Sequence, residues 1–315
     1  MNSCCSLHFP RVVFEGGQRW LWNPITKKRL ANRPEERVRL RMIDYLTLEA
    51  QIPAGRISQE LTLLSNELGD KDRGMRADIV VFGGDMEPET LIECKSATVS
   101  LSKDAAIQIS RYNKHVGARH LWLSNGHSDA IFTFENGELK QRRKPIYPSA
   151  YSVQELRSTP QYWIDRGFIA TSLEEGATEW LTQVLQEFWD PSLEWGYGYV
   201  ELSRADMGVH ASHYYQSIPL DDDTDVALSI MSPNPKETVL VAILNQSQQT
   251  VAVFVTDLGA LWDGESENTT IYTTHSQERA SLLKHVPLKT DEINPMVISN
   301  LAGFYESWFR QLYLL

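Results

Sequence analysis

Apolar runs separated by polar segments are clearest between residues 76 and 124, where they predict a β-hairpin, a helix and a further strand. β-branched and apolar residues dominate the strands, and a Gly/Asp/Glu/Pro run separates the first two. The helix shows apolar residues three and four apart. The predicted elements are a strand over Arg76–Phe82, a turn over Gly83–Glu89, a strand over Thr90–Lys95, a helix from Asp104 through Tyr112 and a strand over His120–Ser124.

The same patterns predict two domains, over residues 1–148 and 149–315. Before residue 76 we expect a hairpin over residues 7–30, a helix from Arg33-Pro34 to about Ala50, a strand from Arg56 that contains Glu60, and a polar loop over 66–74. The hairpin 130–141 closes this first domain. The second domain is predicted to be α+β with an antiparallel sheet. Its expected elements are a helix that a capping box at residues 171–175 opens, strands over 226–231, 238–244, 250–256 and 268–273, and a final helix after Asn294-Pro295.

Composition places the chain among ordinary globular proteins. Its 315 residues are enough for two domains with cores, and no apolar run approaches the roughly 20 residues of a membrane helix. The first eight residues lack the basic start and apolar core of a signal peptide. The three cysteines, of which Cys4 and Cys5 are adjacent, form neither a disulfide framework nor a zinc-ligand spacing. We therefore expect a cytoplasmic protein that does not associate with a membrane.

Charge is divided unevenly between the two halves. Residues 1–150 contain 22 Lys/Arg and 18 Asp/Glu, whereas residues 151–315 contain 8 and 23. Only the first half can supply the positive field that nucleic-acid phosphates need. An arginine on a predicted helix is, taken singly, more typical of a solvated face. The acidic second half suggests a protein partner or self-association. The candidate nucleic-acid contacts are Lys27, Lys28, Arg37, Arg41 and Arg76.

Two carboxylates and a lysine are predicted to converge in the central hairpin. Side chains alternate along a strand, so Glu93 and Lys95 point the same way, and the partner strand can place Asp78 beside them. Gln108 and Tyr112 lie one helical turn apart. Oxygen ligands of this kind suit Mg²⁺, for which we expect Mn²⁺ to substitute. The set predicts metal-dependent hydrolysis of a phosphodiester.

A second Glu-x-Lys in the chain provides a comparison. Glu138 and Lys140, with Asp129 before them, lie on a polar predicted hairpin. The basic run Arg142-Arg143-Lys144 follows them instead of a helix. We therefore predict that this second set is a surface feature without a catalytic role.

Residues 21–133 resemble the N-terminal nuclease domain of type I restriction enzyme R subunits, within the PD-(D/E)xK superfamily. The resemblance rests on Trp22-Asn-Pro-Ile-Thr-Lys-Lys, Arg33-Pro-Glu-Glu-Arg-Val-Arg, Glu60, Arg76-Ala-Asp-Ile-Val-Val, Ile92-Glu-Cys-Lys, Gln108-x-x-x-Tyr112 and Leu123-Ser-Asn-Gly126. It implies a restriction endonuclease-like α/β fold with a mixed sheet and an αβββαβ core. It also implies DNA as the substrate.

The resemblance further implies a role for each matching residue. Asp78 and Glu93 would hold the metal, Lys95 would be catalytic, and Gln108 and Tyr112 would assist at the phosphate. Glu36 or Glu60 would add an acidic ligand, and these two alternatives stay open. The sequence contains no Gly-x-x-x-x-Gly-Lys-Ser/Thr phosphate loop, so we do not expect it to translocate DNA by itself. A non-cleaving protein that uses the same fold to bind nucleic acid or a partner is the second hypothesis.

Overall fold

The computed structural model describes residues 1–62, 76–207, 209–285 and 298–313. It divides into two compact units, Met1–Val13 with Trp20–Glu155 and Phe14–Arg19 with Leu156–Leu315. The predicted polar loop over 66–74 and the predicted helix start at Asn294-Pro295 lie outside the described residues.

The first unit contains a small sheet and a larger mixed sheet. The small sheet consists of β1 (Val12–Glu15), β2 (Gln18–Asn23) and β3 (Lys28–Leu30), and the end of β1 and the start of β2 belong to the second unit. The larger sheet consists of β4 (Ile57–Thr62), β5 (Arg76–Phe82), β6 (Pro88–Cys94), β7 (His120–Ser124), β8 (Asp129–Glu135) and β9 (Glu138–Arg142). The helices are α1 (Pro34–Asp44), which a π-helical turn over Tyr45–Glu49 continues, and α2 (Lys103–Val116).

The larger sheet carries a core on each face. Its strands run in the order β4 to β9, and β6 and β7 are parallel while the other neighbours are antiparallel. Because side chains alternate along a strand, Ile92 and Trp122 pack with residues of α1 on one face, and Leu91 and Leu121 pack with residues of α2 on the other. All four side chains are fully buried. The predicted mixed sheet between helices is therefore confirmed.

The ends of α2 are set by local sequence. The Ser102 hydroxyl accepts a hydrogen bond from the backbone N–H of Ala105 (3.3 Å) and so caps the first turn. Gly117 ends the helix with a left-handed backbone (φ 74°), which glycine adopts without the steric cost of a Cβ. The two ends set the bounds of α2, whose residue Gln108 contacts Lys95 just after β6.

The second unit is built on an antiparallel sheet, as predicted. Its seven described strands are hydrogen-bonded in chain order. The expected hairpin between the fourth and fifth is present, and its turn uses positive φ at Ser247 and Gln248. The first, second and last of these strands were not predicted from the sequence. The strands are β10 (Gly196–Arg204), β11 (Val209–Pro219), β12 (Thr224–Asn234), β13 (Glu237–Gln246), β14 (Gln249–Asp257), β15 (Thr269–Tyr272) and β16 (Gln277–Ala280).

Helices cover this sheet, and Tyr305 and Trp308 of the last one pack on Phe254 of β14 with ring centroids 4.9 and 5.3 Å apart. The prediction of a capping box was wrong, because the Ser172 hydroxyl donates to the carbonyl of Pro235 and the helix begins three residues later.

Among the described residues no helix is long and apolar enough to cross a membrane. The helices are α3 (Val153–Arg157), which crosses the boundary between the units, α4 (Pro160–Ile164), α5 (Glu175–Phe188), α6 (Leu258–Trp262), α7 (Leu282–His285) and α8 (Ile298–Tyr313).

Candidate active site

The neighbouring strands β5 and β6 bring the predicted carboxylates and lysine together. Ile79 pairs with Ile92, and the same antiparallel register places Asp78 opposite Glu93. The backbone N–H that follows Glu93 donates to Asp78 Oδ2 (2.8 Å). The Lys95 amine donates to Glu93 Oε1 (2.7 Å). The three residues singled out from sequence are therefore linked by direct contacts.

The side chains of Gln108 and Tyr112, on successive turns of α2, add an amide and a phenol to this cluster. Lys95 Nζ lies 3.5 Å from Gln108 Oε1, and Gln108 Nε2 donates to the Tyr112 hydroxyl (2.8 Å). The two helix residues can meet because positions four apart share one face. A continuous chain of polar contacts thus runs from Glu93 through Lys95 and Gln108 to Tyr112.

Burial makes ionisation of the two carboxylates costly. Burial and the nearby charge of Asp78 raise the pKa of Glu93, Lys95 opposes them, and the net pKa is about 7. Burial also raises the pKa of Asp78, against the stabilising N–H of Cys94 and the charge of Arg39. Burial disfavours the charged amine of Lys95, but the hydrogen bond to Glu93 and the negative charges of Glu93 and Asp78 together raise the pKa of Lys95. A further cation at this point would stabilise both carboxylates.

One carboxylate oxygen in the cluster, Glu93 Oε2, is buried and accepts no hydrogen bond from any group within the described ranges. Leaving a buried polar atom unpaired costs about 1–3 kcal/mol, and more for a charged group. The side chain is only 7% exposed, so bulk water does not offset this cost. A bound cation is one partner that would.

The donor set fits Mg²⁺. The described part of the chain places no three His, Cys, Asp or Glu residues together as metal ligands. Mg²⁺ does not require such a set, because it keeps several waters and takes one or two carboxylates together with substrate phosphate oxygens. A closed zinc site would require about four nitrogen or sulfur ligands. Asp78 and Glu93 are thus the residues that would hold a magnesium ion, with waters and substrate phosphate oxygens as its other ligands, and they do not form a structural zinc site.

Glu36 and Glu60, the two alternatives for a third acidic ligand, both contact Arg39. The Arg39 side chain is 6% exposed and forms an ion pair with Glu36. Its Nη1 lies 3.3 Å from Glu60 Oε1 and 3.8 Å from Asp78 Oδ1. Burial would lower the pKa of Arg39, but Glu36, Asp78 and Glu60 outweigh burial and raise it. From sequence, Arg39 was only one of the positive charges of the first half and the last residue of the motif that begins at Arg33, without a role of its own; its spacing of three from Glu36 was the available signal.

The backbone of Glu60 is unusual for a strand residue. Its φ is +49°, while Gln59 and Leu61 on either side pair regularly with β5. A non-glycine residue in this region costs about 1–3 kcal/mol and persists where its surroundings fix it. Arg76, whose Nη2 lies 3.2 Å from Glu60 Oε1, is a second cation on this carboxylate.

The five candidate nucleic-acid contacts separate into exposed and buried residues. Lys27 and Lys28 are exposed, as is Arg76. Arg37 and Arg41 are buried, which corrects the expectation of a solvated helix face. The Arg41 guanidinium donates to the backbone carbonyls of residues 5, 6 and 126, and Arg37 donates to the side chain of residue 32. Their guanidinium groups bind protein oxygens and not a phosphate of a nucleic acid.

The second Glu-x-Lys set is not assembled. Asp129 and Glu135 lie at opposite ends of β8, about 20 Å apart at the usual rise per residue. Glu138 pairs with Glu135 across the hairpin and is therefore remote from Asp129. Glu138 is exposed, and the exposed Lys140 lies 3.5 Å from Glu135.

Comparison with known families agrees with the resemblance inferred from sequence. Residues 34–146, about a third of the chain, match the family model described as type I restriction enzyme R protein N terminus. The matched segment runs from the start of α1 to just beyond β9, and it contains every residue of the site. Comparisons with curated proteins and with solved structures gave no match.

Proposed function

We propose that the chain is a metal-dependent nuclease that hydrolyses phosphodiester bonds of DNA. The family match supports a nuclease-related role, because the family it names is part of a restriction enzyme. The observation that carries the proposal is the buried Glu93 Oε2 beside Asp78 and Lys95, which accepts no hydrogen bond from the described residues. Such an oxygen lowers stability unless a cation binds it, and here a second carboxylate and a lysine lie next to it.

The order of elements supports the same class. From α1 the larger sheet follows as three strands, a helix and a strand, which is the αβββαβ order that the PD-(D/E)xK resemblance implies. Asp78 lies on the second of these strands and the Glu-x-Lys pair at the end of the third. We propose that this part of the chain is a restriction endonuclease-like core.

The side chains have complementary roles in the proposed reaction. Asp78 and Glu93 would hold the ion through Oδ and Oε oxygens. Mg²⁺ bound there would polarise a phosphoryl oxygen and favour ionisation of water. Lys95, fixed by Glu93 and near Gln108, would orient the attacking water and stabilise negative charge that develops on the phosphate.

The helix residues would position the phosphate. The Gln108 amide bridges Lys95 and Tyr112, so its orientation is set at both ends. The Tyr112 hydroxyl accepts from Gln108 and keeps its own proton available as a donor to a phosphate oxygen. This arrangement supports an assisting role for both residues.

The surroundings of the site suggest how DNA is held. Lys27, Lys28 and Arg76 are exposed cations that we propose as backbone contacts, since phosphate contacts position a nucleic acid without reading its sequence. The acidic second half would dock a protein partner or a second copy of the chain. A role in defence against foreign DNA fits the restriction family.

The alternative is a protein with this fold that binds nucleic acid or a partner without cleaving. One observation favours it: Asp78 already has partners on both oxygens, Arg39 at 3.8 Å and the Cys94 N–H at 2.8 Å. Such pairing would weaken the attraction of Asp78 for a metal ion. The following experiment separates the two functions.

The test is cleavage of supercoiled plasmid and of single-stranded DNA with Mg²⁺, Mn²⁺ or a chelator. Asp78→Asn is the matched variant, because the amide oxygen can still accept from the Cys94 N–H. We expect metal-dependent cutting by the parent and none by Asp78→Asn at equal folded content. DNA binding without cutting by both proteins would establish the alternative, and equal cutting by both would refute the site.

A further inference from the structure

A permanently charged arginine lies among the acidic residues beside the proposed metal site. Arg39 contacts Glu36, Glu60 and Asp78, and its side chain is almost fully buried. A guanidinium keeps its charge at any physiological pH and presents five donors in a planar fork, so one arginine can serve several carboxylates.

The acidic residues form two groups that differ in their cations. Glu36 and Glu60 contact Arg39, and Glu60 also contacts Arg76, so two carboxylates meet two arginines. Asp78 and Glu93 form the other group. Lys95 is bound to Glu93 at 2.7 Å, whereas Arg39 is only a distant contact of Asp78 at 3.8 Å.

We infer that Arg39 acts as a fixed cation that limits the site to one divalent ion, held by Asp78 and Glu93. The inference rests on the proposed nuclease function and deepens it. Glu36 and Glu60 then serve to hold Arg39 and are not metal ligands. Arg39 is a positioning residue, since it acts through these carboxylates and through Asp78.

Electrostatics explains why one cation excludes another. A second divalent ion on Glu36 and Glu60 would lie within a few ångströms of the guanidinium, and repulsion between cations at that distance is strong even though the Glu60 side chain is 45% exposed. It would therefore compete with Arg39 for these carboxylates. The geometry of Glu60 agrees with a role in holding Arg39. Its backbone is strained (φ +49°), and its carboxylate contacts both Arg39 and Arg76.

Removal of the guanidinium should uncover a second ion site. Glu36 Oε2 is buried with no hydrogen-bond partner among the residues that the structure describes. Without Arg39, the Glu36 carboxylate would lose the cation that contacts its Oε1, and Glu60 would keep only Arg76. Asp78 would then bridge two acidic groups, an arrangement that two divalent ions can share.

The experiment counts bound Mn²⁺ per chain, from the electron paramagnetic resonance signal of free Mn²⁺, without DNA. We expect one ion in the parent, one in Arg39→Lys, two in Arg39→Gln, and one again in Arg39→Gln combined with Glu36→Gln and Glu60→Gln. Circular dichroism and thermal melts verify that each variant is folded. In the parent, Glu93→Gln should abolish the single ion.

Each other outcome has a definite meaning. Two ions in the parent or in Arg39→Lys, or one ion in folded Arg39→Gln, would overturn the inference and leave the nuclease function standing. A parent that binds no ion would overturn the inference, and the cleavage test would still decide the metal dependence, because substrate phosphate oxygens can complete the ligands of the ion. If Arg39→Gln does not fold, the counts in the parent and in Arg39→Lys still decide.

Discussion

The same sheet contains two Glu-x-Lys pairs with opposite surroundings. Glu93 and Lys95 lie at the end of β6, between two other strands and beneath α2. Glu138 and Lys140 lie on β9, an edge strand whose five residues are all exposed. Burial raises the pKa of Glu93 and leaves its Oε2 without a hydrogen bond from the described residues, whereas Glu138 is exposed. We therefore expect chemical activity only from the pair from which water is excluded.

The largest expected difference is in the rate of DNA cleavage. We predict that Lys95→Ala lowers the single-turnover rate by about 10³-fold, as removal of a group that stabilises transition-state charge does in other enzymes. Lys140→Ala is its control and should stay within about twofold of the parent, because exposed ion pairs contribute little. Quenched-flow cleavage of plasmid DNA measures both. Similar losses in both variants would remove the distinction between the sets.

A smaller difference is expected in the pH dependence of stability. Because the pKa of Glu93 is about 7 in the folded protein and near 4.5 when unfolded, the native state binds the extra proton between these values. The free energy of unfolding contributed by Glu93 therefore falls as pH rises from about 4.5 to 7 and stays low above. Relative to Glu93→Gln, the parent should lose roughly 1–3 kcal/mol over this window.

Urea denaturation at several pH values, without divalent ions, measures that loss. The exposed Glu138→Gln is the matched control and should follow the parent at every pH. A constant difference between the parent and Glu93→Gln across the window would show that the carboxyl is not perturbed by burial.

The smallest effect is expected at the end of the polar chain. Tyr112→Phe removes the hydroxyl that accepts from Gln108, so the amide loses one of the two contacts that orient it. We predict a cleavage rate lower by roughly 3- to 30-fold, in line with the loss of one hydrogen bond. Tyr151→Phe, at a tyrosine that is 55% exposed, is the control and should cleave at the parent rate. A larger loss than in Lys95→Ala would assign Tyr112 a more direct role.

The parts of the site that sequence could predict are those set by strand geometry. Continuous apolar runs marked β5, β6 and β7, and the period of two placed Glu93 and Lys95 on one side. The contact of Gln108 with Tyr112 followed from helical spacing. These features depend on near neighbours in the chain, which a pattern contains.

What sequence could not predict depends on distant contacts. Arg37, Arg39 and Arg41 alternate with apolar residues, which on a helix distributes charge around every side and suggests solvation. Arg41 is buried because backbone carbonyls from the chain start and from residue 126 accept its hydrogen bonds. β11 was missed because His213 and Gln216 occupy buried positions, which interrupts the apolar alternation. The side-chain amide nitrogen of Gln216 donates there to the carbonyl of Phe188, 28 residues away in sequence.

The central claim is that the buried set performs metal-dependent hydrolysis. Its most direct test is cleavage across a Mg²⁺ titration by the parent, Glu93→Ala and Glu138→Ala. We predict that the parent and Glu138→Ala share one Mg²⁺ dependence and that Glu93→Ala does not cut at any concentration. Equal Mg²⁺-dependent cutting by Glu93→Ala and the parent would contradict the account.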